Sequence, residues 1–181
     1  MLVNKLTKKK ILPTEDFTEP SQKKKQLMYK FYKLIYKSDF EQAKKRSLMT
    51  ATMGYEKWGW RVVGITPKVI IEIAKNNYYL PNGLQRDHFK KSRAETFNAI
   101  FENDMYDFEK WWNWVWENDV TVLMTKDEHI NHKNLTKKDY YKVNPKLGYF
   151  RNKAVIGMHF SRQKDGEFVK SLVSKYKLNI S

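Results

Sequence analysis

The sequence contains no cysteine, no long apolar run and no targeting segment, and each absence excludes a class of protein. A chain of 181 residues without cysteine cannot build a disulfide scaffold, a Cys-ligated zinc site, an iron–sulfur cluster or a thiol nucleophile. Its apolar runs are too short to span a bilayer, and its first residues lack the apolar core of a signal peptide. We therefore predict a cytoplasmic protein that has no membrane partner.

The composition predicts one folded domain preceded by a basic arm. Hydrophobic residues make up 41% of the chain and aromatic residues 15%, which is too much for a wholly disordered protein. Residues 1–25 contain two lysine clusters around a stretch rich in Pro, Thr and Glu, and we predict a partly flexible arm there. Residues 26–181 are predicted to form a single α+β domain with a small antiparallel sheet and basic N- and C-terminal extensions.

The positive charge is concentrated at the two ends of the chain. The formal net charge is +15, to which residues 1–50 contribute +8, residues 133–181 contribute +9 and residues 51–132 contribute −2. Two basic flanks indicate a polyanionic partner, and a slightly acidic centre could hold a divalent cation next to a phosphate. Charge that serves only solubility would give the same totals.

Helical and strand patterns alternate along the chain. Apolar spacing predicts a helix over residues 26–46, and residues 58–65 are predicted as a strand that leads into a helix capped by Thr66. Residues 84–89 are predicted as a second strand, and residues 154–160 as a late strand before a terminal helix. This mixture of elements is typical of an α+β domain.

Two capping boxes mark further helix starts. Ser92 and Glu95 form the first box. Thr125 and Glu128 form the second, directly after the short β-branched strand at residues 120–124. The second box therefore predicts a strand that runs straight into a helix.

Three of the four histidines lie near these strands and this last helix. Asp87 and His88 end the second strand, whereas His129 and His132 lie three positions apart and share one face of the helix. Carboxylates and neutral imidazoles are ligands for divalent ions, and a further imidazole beside such an ion could take a proton from water. This combination supports phosphodiester hydrolysis, in which the ion stabilises negative charge on the phosphate.

Asp87-His88, followed later by a strand that runs into a His-containing helix, resembles the HNH (ββα-metal) endonucleases common in phages and mobile elements. The resemblance covers about residues 84–133 and implies a β-hairpin crossed by a helix. It implies one divalent ion, Mg²⁺ or Mn²⁺, with Zn²⁺ as a further option. It also implies that His88 is the general base, that Asp87 and His129 are metal ligands, and that His132 is a second helix ligand or a phosphate contact.

The spacing differs from the usual pattern of that family. His88 and His129 are 41 positions apart, so a helical insert at residues 92–118 must lie between the two strands. The central asparagine of the family corresponds to Asn118 or to Asn131, and the sequence leaves both open. The two helix histidines are three positions apart, whereas in the family they are often four apart.

Basic residues near the histidines and in the C-terminal flank are predicted to contact nucleic acid. Arg86 and Arg93 would clamp a phosphate bidentately or pair with Asp87 or Glu95. The downstream cations alternate with tyrosines, a composition shared by nucleic-acid surfaces and by packed strands with lysines at their edges. The predicted contact residues are Arg86, Lys90, Lys91, Arg93, Lys142, Arg151 and Lys153.

The function predicted from these observations is that of a divalent-metal-dependent DNA endonuclease, with RNA as an alternative substrate. A second prediction is a non-catalytic nucleic-acid-binding protein with a decayed nuclease core. A third is an inhibitor that binds an acidic protein partner. Metal-dependent cleavage distinguishes the first from the others, and salt-sensitive DNA binding distinguishes the second from the third.

Overall fold

The fold is given by a computed structural model that describes residues 19–88, 91–104, 107–131, 139–153 and 157–180. Its helices are α1 (Gln22–Lys37), α2 (Gln42–Gly54), α3 (Pro67–Lys75), α4 (Arg93–Glu102), α5 (Phe108–Asn118), α6 (Lys126–Asn131) and α7 (Glu167–Tyr176). Its strands are β1 (Arg61–Ile65), β2 (Leu84–His88), β3 (Val120–Thr125), β4 (Tyr141–Lys142), β5 (Arg151–Asn152) and β6 (Met158–His159). The predicted α+β class is confirmed.

Four strands form one mixed sheet in the order β2-β3-β1-β4. β2 runs antiparallel to β3, with His88 opposite Thr121, whereas β1 runs parallel to β3, with Arg61 opposite Val120. The prediction of a purely antiparallel sheet is therefore wrong for the β1–β3 pair. A parallel pair needs a long crossover, and the connection from β1 to β3 contains α3, β2, α4 and α5. The strands β5 and β6 form a separate antiparallel pair.

The first hydrophobic core lies within a layer formed by α1, α2, α4 and α5. The Tyr32 ring stacks on Trp111 at 5.4 Å between centroids, and its hydroxyl donates a hydrogen bond to the Ile100 carbonyl at 2.9 Å. The largest fully buried side chains of this core are Trp111, Trp112, Tyr32, Phe97, Met49 and Met53. The layer includes both helices of the predicted insert.

The second core lies where α3 and α7 pack on the sheet. Val62 and Ile65 of β1 and Leu123 of β3 are buried there, together with Ile70 of α3 and Val169 of α7. Each of these five side chains is at most 2% exposed. The sheet that carries the predicted site is thus fixed by packing on its α3 side.

Local capping fixes where three helices start. Thr66 caps α3, which has proline at its first position, and Ser92 and Glu95 exchange both hydrogen bonds of a capping box at α4. At α6, the Glu128 carboxylate accepts from the Thr125 N–H at 2.9 Å and from the Thr66 hydroxyl at 2.8 Å. The predicted helix starts are confirmed, and the last contact also ties α6 to the start of α3.

The helix predicted over residues 26–46 is two helices. Ser38 has extended backbone, with φ −71° and ψ 157°, and both its N–H and its hydroxyl bond back to the Ile35 carbonyl. A serine side chain that bonds to the backbone offers an alternative to helical hydrogen bonds, and here it ends α1. The single long helix is therefore a wrong prediction, and α2 returns along α1.

Residues 19–25, which lie in the predicted basic arm, make defined contacts in the structure. Here α1 begins at Gln22 and is capped by the Ser21 side chain. Glu19 accepts a hydrogen bond from the Trp112 indole at 2.6 Å and forms an ion pair with Lys25. Residues 19–25 therefore belong to the folded domain, because their polar side chains are fixed against α5 and within α1.

Candidate metal and histidine site

β2 carries the residues on which the predicted site depends. Successive side chains of a strand point to opposite faces of the sheet, so Arg86 and His88 share one face and Asp87 lies on the other. Their contacts agree with this alternation, since Asp87 meets His129 of α6 whereas His88 meets Asp119. The residues that the sequence grouped into one cluster therefore form two separate pairs, Asp87 with His129 and His88 with Asp119.

Asp87 and His129 form the first pair. The Asp87 Oδ1 and His129 Nε2 atoms are 3.7 Å apart, and α6, which follows β3 directly, packs against both β2 and β3. The two side chains are 19% and 39% exposed, so the pair is open to solvent. Two atoms that each bind one ion at about 2.1 Å can be at most about 4.2 Å apart, so this spacing fits a shared divalent ion.

The third predicted ligand, His132, lies outside the described residues, and so does Lys90. Within the described ranges no group of three or more His, Asp or Glu side chains is arranged to hold a metal. The described chain therefore supplies two of the three predicted ligands, a carboxylate oxygen and an imidazole nitrogen, which are suitable donors for Mn²⁺ or Zn²⁺.

His88 and Asp119 form the second pair. The His88 Nε2 and Asp119 Oδ1 atoms are 3.1 Å apart, the His88 side chain is 6% exposed and the Asp119 side chain is completely buried. Asp119 is the residue between α5 and β3, and its N–H bonds to the Val115 carbonyl. The His88 ring also packs against Trp60, with centroids 4.6 Å apart.

The positive charges around Asp119 keep it ionised. Burial alone would raise the pKa of Asp119, but the hydrogen bond with His88 and the charges of Arg93 and Arg61 lower it to about 2. The Arg93 Nε atom is 3.9 Å from the Asp119 Oδ1 atom. Asp119 is therefore a carboxylate at neutral pH, and its oxygens can only accept hydrogen bonds.

Arg93 is buried in the structure. It is 8% exposed, and its guanidinium lies 4.6 Å from the centroid of the Trp60 ring and 5.2 Å from that of Phe97. No described residue accepts a hydrogen bond from this guanidinium, and burial lowers the pKa of Arg93 although Asp119 raises it. The ion pair that Arg93 forms in the structure is with Asp119, and not with Asp87 or Glu95, the partners that the sequence suggested.

Arg86 ties β2 to the second sheet. Its guanidinium donates to the Gly157 carbonyl at 2.6 Å, to the Asn152 Oδ1 atom at 3.1 Å and to the Trp60 carbonyl at 3.4 Å. The pKa of Arg86 is lowered to about 10, mainly by burial; the charge of Asp119 opposes this lowering and the charge of Arg93 adds to it. These contacts give Arg86 a structural role within the described chain.

The other predicted nucleic-acid contacts lie on separate elements. Lys91 is exposed next to α4, with its ammonium 5.5 Å from the Trp114 ring centroid. Lys142 of β4 and Lys153 after β5 are exposed, and Arg151 of β5 is half-buried. The three lysines are exposed, unlike the buried guanidinium of Arg93.

Sequence reasoning missed Asp119 and Trp60. It considered the preceding residue, Asn118, whose side chain donates to the Trp114 carbonyl at 2.8 Å within α5 and is 7% exposed. The other candidate for the central position, Asn131, ends α6, and its side chain is not among the described ones. An acidic residue immediately before a strand of apolar residues is a signal for a buried, partnered carboxylate, because such a group must find a cation or donor.

None of the helices in the described ranges is both long and apolar enough to cross a bilayer.

Comparison of the chain with protein-family models, with curated proteins and with solved structures finds no match. The function therefore has to be inferred from the geometry of the two pairs and from the charge around them.

Proposed function

We propose that the protein is an HNH-like, divalent-metal-dependent DNA endonuclease that hydrolyses phosphodiester bonds. The observation that best supports this proposal is the meeting of Asp87 with His129. Asp87 lies near the end of β2, His129 lies on α6 directly after β3, and the two strands are antiparallel neighbours. This is the order of strand, strand and helix that the HNH resemblance implies, with α4 and α5 inserted between the strands.

Asp87 and His129 are the residues proposed to hold the ion, with His132 as a third ligand. When bound, a divalent ion would supply a Lewis acid that stabilises negative charge on the phosphate. The chain presents one carboxylate and one imidazole at a spacing that fits one ion, on side chains that solvent reaches. Such a donor pair suits Mg²⁺ or Mn²⁺, and it also accommodates Zn²⁺.

His88 is the proposed general base. It follows Asp87 directly in β2, so their Cα atoms are about 3.8 Å apart. Because His88 is the last residue of the strand, a phosphodiester that crosses the end of β2 can contact both side chains although they belong to opposite faces. In this arrangement the imidazole takes a proton from the attacking water, a step that needs an unprotonated ring nitrogen.

The exposed cations and the basic flanks are proposed to bind the nucleic-acid backbone. The two terminal regions contribute +8 and +9 to the net charge, and Lys91, Lys142 and Lys153 are exposed. Lysine contacts to phosphates provide affinity and register without reading sequence. We therefore expect cleavage with little sequence preference and strong dependence on salt.

The test is incubation of the full chain with supercoiled plasmid in Mg²⁺, in Mn²⁺ and in EDTA. We expect nicked or linear DNA only with a divalent ion. His88→Ala should lower the rate by roughly 10²–10⁴, the usual contribution of a positioned base. His159→Ala is the matched control, because His159 is an exposed histidine on β6, which pairs only with β5. Absence of cleavage with every ion would refute the nuclease proposal.

The burial of His88 favours a second candidate, a non-catalytic nucleic-acid-binding protein. A side chain that is 6% exposed and bonded to Asp119 has the environment of a structural histidine. In that case the parent protein binds DNA with the same salt dependence but leaves plasmid intact in all three conditions. His88→Ala then lowers the unfolding temperature and has no cleavage to reduce.

A further inference from the structure

We infer that Asp119 is a positioning residue for His88: it accepts the Nε2–H hydrogen bond and so fixes the ring orientation and the tautomer in which Nδ1 carries the lone pair. The inference rests on the proposed function, in which His88 is the base. It assigns to Asp119 a role that the sequence did not suggest, and it names Nδ1 as the ring nitrogen left with the lone pair that a base needs.

The geometry of the pair supports a permanent contact. The two atoms are 3.1 Å apart, a normal hydrogen-bond length, and Asp119 is completely buried, so water cannot replace His88 as its donor. The backbone on both sides is also held: Asp119 closes α5 through its N–H, and His88 pairs with Thr121 in the sheet. The carboxylate and the imidazole therefore belong to rigid elements.

The charge of Asp119 determines the tautomer. Asp119 has the Arg93 guanidinium at 3.9 Å, and Arg61, whose guanidinium donates to the Trp58 carbonyl at 3.1 Å, adds a second positive charge that favours its ionised form. An ionised carboxylate has no proton to donate, so the hydrogen in its bond with His88 must come from the ring. In the neutral imidazole the lone pair then lies on Nδ1.

Trp60 holds the other side of the ring. Its indole lies 4.6 Å from the His88 ring at an interplanar angle of 59°, and the guanidinium of Arg93 lies 4.6 Å from the same indole. The Trp60 carbonyl accepts a hydrogen bond from the Thr121 hydroxyl at 3.1 Å, which anchors this residue to β3. A hydrogen bond at one nitrogen and an indole against the ring leave His88 little freedom to rotate.

The first test is a ¹⁵N–¹H spectrum of the histidine rings in the unmodified parent protein. The chain has four histidines, and His88→Gln identifies the His88 signals. We expect Nε2, and not Nδ1, to carry the proton of the neutral form of the ring. A ring protonated at Nδ1, or an equal mixture of the two tautomers, would overturn the inference. This measurement is independent of cleavage, so it decides the inference even if the nuclease proposal fails.

The second test compares Asp119→Asn with a matched control. Asparagine keeps the size of the side chain but loses the charge, and we expect kcat to fall about 10²-fold or more while KM changes less than twofold. The control is Asp165→Asn, since Asp165 is a buried carboxylate that accepts from the N–H groups of Phe150 and Ser161. Equal losses in both folded variants, or an unchanged kcat in Asp119→Asn, would contradict the positioning role.

Discussion

Asp87 and His129 lie side by side although 42 positions separate them in the sequence, with 3.7 Å between Oδ1 and Nε2. The antiparallel pairing places Asp87 opposite Val122, and α6, which begins after Thr125 at the other end of β3, packs back on β2 and β3 and so brings His129 to Asp87. Nothing local in the sequence requires this contact. It is therefore the strongest structural support for one shared ion.

His129→Ala should weaken the binding of Mn²⁺. The variant removes one of the two described residues that are proposed as ligands, and we expect the affinity measured by isothermal titration to fall at least 10-fold, a loss that even indirect partners of a metal can cause. Ile130→Ala is the control, because this neighbour on α6 is 66% exposed. Equal affinity in the parent and in His129→Ala would remove His129 from the site.

Arg86→Ala should destabilise the fold. It deletes hydrogen bonds to Gly157 and Asn152 that join β2 to the second sheet. Hydrogen bonds from a charged donor contribute about 1.5–3 kcal/mol each, so we expect the free energy of unfolding in urea to fall by about 3–6 kcal/mol. Lys153→Ala, an exposed cation after β5, should stay within about 0.5 kcal/mol of the parent. If Arg86→Ala also stays within about 0.5 kcal/mol of the parent, then Arg86 serves the predicted nucleic-acid contact rather than the fold.

The pH dependence of the free energy of unfolding should reveal the ionisation of Asp119. The pKa of Asp119 is lowered from 3.8 to about 2 in the folded protein. The contribution of its ionised form to the free energy of unfolding is therefore complete above about pH 4 and disappears as the pH falls towards 2. The difference in unfolding free energy between the parent and Asp119→Asn should therefore shrink over that range, by on the order of 2 kcal/mol. Asp165→Asn should show the opposite trend, because burial raises the pKa of Asp165. A difference that stays constant from pH 5 to pH 2 would contradict this assignment.

Removal of residues 1–18 should reduce the salt dependence of DNA binding. The deletion removes four lysines but keeps Glu19 and all of α1. Each phosphate that a lysine neutralises contributes about −0.9 to the slope of log K against log salt, so the slope should become less steep by at most about 4. Replacing the three lysines at positions 8–10 with glutamine in the full chain is the control for the deletion itself. An unchanged slope in both proteins would mean that these lysines do not contact the backbone.

The local elements of this fold could be predicted because their signals are local. The Ser92–Glu95 and Thr125–Glu128 boxes fix the starts of two helices through hydrogen bonds that span three residues. The break between α1 and α2 is missed because the side-chain hydrogen bond that ends α1 depends on a single residue, Ser38. Periodicity is thus a weaker guide to helix ends than capping groups are.

The site could be predicted only in part, because its contacts join distant segments. The sequence placed Asp87 and His88 together, but neighbours on a strand face opposite ways, and each found a partner more than 30 positions away. The parallel pairing of β1 with β3 likewise depends on a crossover that no local pattern specifies. Asp119 was missed because its role depends on His88, Arg93 and Arg61, which three different segments provide.

The insertion of α4 and α5 between β2 and β3 has a consequence for how the chain folds. Pairing of these strands closes a loop of roughly 30 residues, which costs more entropy than a tight hairpin does. Docking of α4 on α2 and of α5 on α1 would shorten that loop beforehand. We therefore expect the helical layer to order early and the β2–β3 ladder late, so that Asp87 reaches His129 only after the N-terminal helices have assembled. In a cell, this order would leave Asp87 and His129 apart on the ribosome until α6 has emerged.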